Sequence, residues 1–236
     1  TIVNPGTDLA QSRAAVALAA DRTHGTLQIF AGVGVHPQDV GTLTEDDFAA
    51  LAELARDPLV VAIGEVGLER SARSPSLDRQ QQWLERFVDL AREVRKPLIF
   101  HVRDAHAEFR NFLEEVWGPA PRSPADAGRS GVVHCFSGTL DDARFYTSRG
   151  LLLGITGIVT FPNARELQGV VRETPLEHLL LETDAPFLAP QSHRGQRNEP
   201  AYVREVAECV AGLKDFAATE VERVTDKNAQ ALFRWA

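Results

Sequence analysis

Leu59-Val60-Val61-Ala62-Ile63-Gly64-Glu65 carries an apolar run into a glycine and then a carboxylate. Three further segments repeat that shape. Pro97 to Phe100 ends at His101, Gly131 to Val133 ends at His134, and Leu179 to Leu181 ends at Glu182-Thr183-Asp184. Short apolar runs mark strands covered on both faces, the signature of a parallel sheet. In a barrel of such strands the reactive groups stand at the C-terminal strand ends. Two histidines, a glutamate and an aspartate converging there make a site for a divalent metal and for hydrolysis.

Outward from these runs, strand and helix signals alternate to the end of the chain. The predicted strands are Thr1 to Val3, Leu27 to Val35, Leu59 to Ile63, Pro97 to His101, Gly131 to His134, Leu151 to Ile155 and His178 to Glu182. Helical patterns lie between and after them: Asp8 to Asp21, Thr44 to Arg56, Leu77 to Arg95, Ala105 to Trp117, Thr139 to Arg149, Ala164 to Glu173 and Pro200 to Leu213. Leu77, Leu84, Phe87, Leu90, Ala91 and Val94 form one apolar stripe. Thr44 with Asp47 reads as a capping box, and Thr219 with Glu222 as another opening a last helix that ends near Phe233. Gly118 to Gly131, rich in Pro, Ala, Ser and Gly, reads as a mobile loop without a catalytic role. The βα series predicts a single α/β domain over 1–236, a (β/α)8 TIM-type barrel. Seven strands are one short of that barrel, and methionine is absent even at position 1. Both observations suggest that the first strand and helix lie upstream of Thr1, outside this sequence.

The chain has 236 residues and 44% hydrophobic composition, enough for one large core. No apolar stretch approaches the roughly 20 residues that span a bilayer. With 25 basic against 33 acidic residues the net charge is −8, which argues against a surface that coats nucleic acid broadly but leaves room for a nucleic acid held at one place. The two cysteines, Cys135 and Cys209, read as reduced core thiols of a cytoplasmic protein.

Each candidate has a specific chemical reason. Glu65 stands between Gly64 and Gly67, where a metal ligand competes with an ordinary turn glutamate. His101 and His134 end consecutive strands, and neutral imidazole suits Zn, Mn, Fe and Ni. Asp184 beside a metal can be ligand, general base or both. Glu182 shares its strand face and is placed to support a ligand from one layer deeper. His36, in Gly34-Val35-His36-Pro37, reads as a contact to substrate rather than metal. Arg70, Arg73, Arg103, Arg165, Arg194 and Arg197 fall in loops that follow strands, and a basic mouth on an acidic body suits a phosphate-bearing substrate.

Taken in order, Gly34-Val35-His36-Pro37, Gly64-Glu65-Val66-Gly67-Leu68, His101-Val102-Arg103, His134-Cys135-Phe136-Ser137-Gly138, Leu181-Glu182-Thr183-Asp184-Ala185-Pro186 and Arg197-Asn198-Glu199-Pro200 resemble the TatD family of metal-dependent deoxyribonucleases, (β/α)8 barrels of the amidohydrolase superfamily. Asn228 with Leu232-Phe233 fits the same resemblance. It implies Glu65 bridging two divalent cations (Mg, Mn or Zn), His101 and His134 on one, and Asp184 on the other while acting on the attacking water. Glu65 and Asp184 are thus the implied catalytic pair, with His36, Arg103 and Arg194 near substrate. The implied activity is phosphodiester cleavage, a 3′-5′ exonuclease on single-stranded DNA. Two departures stand out. The family's opening His-x-His pair is absent from this sequence, so one cation rather than two is expected to bind firmly. Glu69-Arg70 stand where the family carries Asp and an aromatic residue. Rival readings are a deacylase or esterase acting on a small or tRNA-linked substrate, and an inactive or single-metal fragment. A monomer without membrane contact is expected, with element swapping open to a barrel that has unpaired strand edges.

Overall fold

The computed structural model describes residues 1–21, 23–117 and 131–235, which group into two compact units. The first holds β1(Ile2–Pro5), α1(Leu9–Ala20), β2(Ile29–Val33), α2(Glu45–Leu54), β3(Val60–Glu69), α3(Leu77–Val94), β4(Leu98–Arg103) and α4(His106–Phe112), followed by a π-helical turn, Leu113–Trp117. Strands β1 to β4 pair in parallel and in chain order. The second holds β5(Gly131–His134), α5(Leu140–Ser148), β6(Leu152–Ile155), α6(Arg165–Glu173), β7(Leu179–Leu181), α7(Val203–Lys214) and α8(Ala218–Phe233). There β5 pairs with β6 and β6 with β7, again in parallel. The observed class is α/β with parallel strands and helical connections.

Burial explains why apolar runs become strands. Every residue of β3 is buried. A strand wrapped on both faces cannot alternate polar and apolar side chains, so it reads as a continuous run. In the first unit Phe87, Phe100 and Phe109 are fully buried, and Phe109 meets Phe100 edge-on at 4.9 Å. Burying one such side chain contributes roughly 1.5–3 kcal/mol. In the second unit Phe136 packs edge-on against the buried Tyr146.

Helix starts follow their caps. The side chains of Asp8, Thr44, Ser76 and Thr139 each accept a backbone N–H from the first turn. Thr44 with Asp47 and Thr139 with Asp142 form complete capping boxes. The chain's end folds back on the first unit, where Trp235 stacks on Phe30 at 5.7 Å. Asn228 of α8 donates to the carbonyls of Leu176 and Leu179, tying the entry of β7.

Several expectations need correction. The strand opened by Leu59 does not stop at Ile63 but runs on to Glu69. The helix predicted over Ala105 to Trp117 changes to π-helical pitch at Leu113. The Thr219 capping box does not form, because α8 already begins at Ala218. Arg165 opens α6 rather than sitting in a loop. The predicted loop over Gly118 to Gly131 lies, up to residue 130, outside the described residues.

Candidate active site

The carboxylate of Glu65 is aimed by a bulge in β3. Ile63 pairs with Leu98 and Val66 with Phe100, so three steps along β3 match two along β4. The extra residue falls at Gly64-Glu65. Bulges of this kind redirect a side chain. Gly64 is required there: a Cβ would lie 2.6 Å from that of Ile99. The Glu65 amide donates to the Gly6 carbonyl at 3.0 Å, fixing the bulge from the β1 side. Glu65 itself is buried.

His101 lies on β4 across from Gly67, its register partner. A Cβ on Gly67 would come within 1.8 Å of the His101 carbonyl oxygen. The glycine therefore lets the two backbones close, which brings the imidazole to Glu65. Nδ1 of His101 is 2.7 Å from Oε1 of Glu65, and Nε2 is 3.1 Å from Oε2 of Glu69. The ring is flanked by carboxylates on both nitrogens.

His36 joins this group edge-on to His101, with ring centroids 4.3 Å apart. Its Nδ1 accepts the Gln38 backbone N–H at 3.2 Å. Nε2 faces Glu65 at 3.8 Å and Glu69 at 3.7 Å. Burial, reinforced by neighbouring His101, holds the His36 pKa below its ordinary value, so the ring is neutral at pH 7. A neutral ring that accepts at Nδ1 carries its proton on Nε2, which makes His36 a donor toward the site and a poor cation ligand there. His36, Glu69 and His101 nonetheless offer ligand atoms within 4.8 Å of one another, so among the described residues donor density is high at this point.

Glu69 is the residue the sequence reading undervalued. It is 1% exposed. Gln38 donates to its Oε1 at 2.7 Å, and Gln80 of α3 brackets its backbone, accepting the Glu69 N–H at 2.8 Å and donating to the carbonyl at 2.9 Å. Burial pushes the Glu69 carboxyl up, but the Gln38 hydrogen bond and the His101 and His36 rings outweigh it and hold the group below the usual carboxylate range. Strand parity was the available signal: Glu65, Gly67 and Glu69 share one face of β3.

The second unit brings Glu182 to His134, and Asp184 follows Glu182 two residues on in sequence. Glu182 Oε1 is 3.4 Å from His134 Nδ1 and also accepts the Cys135 backbone N–H. Gly154 makes room for that carboxylate, since a Cβ there would sit 2.8 Å from it. The candidate ligand that Glu182 faces is His134. Asp184 lies past the end of β7 in the left-handed region, φ 54°, and its carbonyl accepts the Phe187 N–H at 2.8 Å. Asn198, buried, donates to the carbonyls of Thr183 and Phe187 and so clamps the Asp184 turn from both ends. Burial pushes the Cys135 thiol up to about 12, so it is not a thiolate nucleophile.

The arginines divide. Arg70 pairs with Glu108 on α4 and is neutralised there. Arg103 ends β4 exposed, and Arg194 lies over the Phe161 ring at 4.4 Å.

A family model described as TatD related DNase matches residues 1–234. The chain is 40% identical over 206 residues to the metal-dependent hydrolase YabD of Bacillus subtilis, covering 87% of this chain and 78% of that one. It is 36% identical over 236 residues to the 3′-5′ ssDNA/RNA exonuclease TatD of Edwardsiella piscicida, covering 98% and 86%. Among solved structures, YJJV, a TatD homologue of Escherichia coli, superposes with a TM-score of 0.88 at 28% identity, covering 100% of this chain and 87% of the other.

Proposed function

Because the chain belongs to the TatD-related DNase family, we propose that it is a metal-dependent hydrolase of phosphodiester bonds, a 3′-5′ exonuclease on single-stranded DNA, with residues 1–236 acting as one catalytic domain. The observation that carries this reading is the buried Glu65 carboxylate 2.7 Å from His101 Nδ1. Two ligands of one cation at bond lengths of about 2.0–2.2 Å stand about 3 Å apart, so this donor pair fits a divalent ion such as Mg, Mn or Zn. Glu65, His101 and His134 would hold one ion firmly. Asp184 with Glu65 offers a weaker second position, since two carboxylates make a loose protein cage.

Bound there, a divalent cation supplies Lewis-acid polarisation of a phosphoryl oxygen and a lowered pKa for the attacking water. The remaining work falls to the chain's own groups. Asp184, fixed by the Asn198 clamp, accepts the proton of the attacking water. His36 donates from Nε2 to a non-bridging phosphate oxygen. Arg103 and Arg194 carry the charge of the flanking phosphates and give an acidic body local affinity for a polyanion. Among the described residues no helix is long and apolar enough to cross a membrane.

The test is digestion of 5′-labelled single-stranded DNA with Mn or Mg, comparing the parent with Asp184→Ala and offering acyl and amide substrates in parallel. The expected result is shortening from the 3′ end and a loss in Asp184→Ala of 10²-fold or more in kcat with little change in KM, in line with removal of a general base. Parental turnover by Asp184→Ala, or turnover of acyl substrates with DNA untouched, would contradict the reading.

A further inference from the structure

We infer that Glu69 is a positioning residue for the cation site: its buried carboxylate accepts the His101 Nε2–H and so leaves Nδ1, the nitrogen on the Glu65 side, as the one that ligates. This rests on the proposal that Glu65 and His101 hold a divalent ion, and it assigns a role to a residue outside that ligand set.

A neutral imidazole has one N–H, so only one of its two nitrogens can ligate. Both His101 nitrogens face a carboxylate, 2.7 Å away at Nδ1 and 3.1 Å away at Nε2. The surroundings break that symmetry. Glu65 sits in a bulge whose glycine and cross-strand hydrogen bond point it at the site. Glu69 is held differently: Gln38 occupies one carboxylate oxygen, and the Gln80 amide grips the backbone through both its N–H and its carbonyl. Only Oε2 is left facing the two imidazoles, His101 at 3.1 Å and His36 at 3.7 Å. His36 already carries its proton on Nε2, because its Nδ1 accepts from Gln38. A carboxylate fixed this tightly, with imidazole N–H groups in front of it, is an acceptor by construction. Histidines that bind metals commonly donate their second ring N–H to a carboxylate, which sets the tautomer and raises the basicity of the ligating nitrogen.

Glu182 does the corresponding job at 3.4 Å from His134 Nδ1, on the opposite ring nitrogen.

The experiment reads the tautomer first and the metal second. In Zn-loaded protein labelled with 15N-histidine, long-range 1H–15N correlation spectra separate rings that ligate through Nδ1 from rings that ligate through Nε2. The expected result is His101 as Nε2–H, ligating through Nδ1, in the parent and in Glu69→Asp, and a mixture of ligating nitrogens in Glu69→Gln. Mn or Zn titration should show Glu69→Gln binding about 10- to 100-fold more weakly and Glu69→Asp recovering most of that loss. An Nδ1–H ring in the parent would overturn the inference without any variant. So would a Glu69→Gln protein whose tautomer and affinity match the parent's. Because the spectra and titrations are taken without DNA, a failure to cleave DNA would count against the proposed function and leave this result standing.

Discussion

At the scale of single residues, absent atoms organise the site as much as present ones. Gly67 has no Cβ, so β3 and β4 close to a distance at which an alanine methyl would sit 1.8 Å from the His101 carbonyl oxygen. The strand cannot absorb that overlap without moving His101 away from Glu65. Gly67→Ala is therefore expected to lose roughly 1–3 kcal/mol in urea unfolding, the usual cost of overpacking. It should also weaken metal binding by more than the fold loss explains. Unchanged Mn affinity in a folded Gly67→Ala protein would show that the close approach does not position the imidazole. Residue identity alone announced Glu65, His101, His134 and Asp184 as candidates, because each follows an apolar run. Glu69 follows no such run, and a strand read as ending at Ile63 leaves it in a loop; once β3 runs on to Glu69, strand parity puts it on the face of Glu65, and the Gln38 and Gln80 contacts, remote in sequence, hold it there.

At the scale of elements, the strand signals located each strand among the described residues, and the Thr44 and Thr139 caps located the starts of α2 and α5. The errors have a common cause. Local chemistry stops a strand at Gly64 and starts a helix at Thr219, while tertiary pairing decides otherwise. β3 continues because Val66, Gly67, Leu68 and Glu69 find partners on β4. α8 starts at Ala218 because α7 ends at Lys214 with Asp215 in the left-handed region, leaving only a tight turn before the next helix. Where the cap is real, it bears on the site. Thr139 caps α5, which begins six residues after His134 in sequence. Thr139→Ala should cost about 1 kcal/mol. In a chain of this size that amounts to a fall of roughly 2–4 °C in melting temperature. A variant melting with the parent would mean the capping box contributes nothing.

At the scale of the whole molecule, an acidic protein with net charge −8 is proposed to act on a polyanion. Bulk electrostatics oppose that encounter, and the proposed local answer is a bound cation together with phosphate contacts from Arg103 and Arg194. Metal and fold are then linked: an ion that binds only the folded state stabilises it by about 2.7 kcal/mol at a hundredfold excess over Kd. Chelator-stripped protein is expected to melt lower than protein with added Mn, and the gap should vanish in Glu65→Gln. A gap that persists in that variant would place the stabilising ion elsewhere. Most directly, crystals grown with Mn should show an anomalous scattering peak about 2.0–2.3 Å from both Glu65 and His101 Nδ1, with His134 as a further ligand. No peak on these side chains, or one held by His36 and Glu69 with Glu65 left out, would contradict the account.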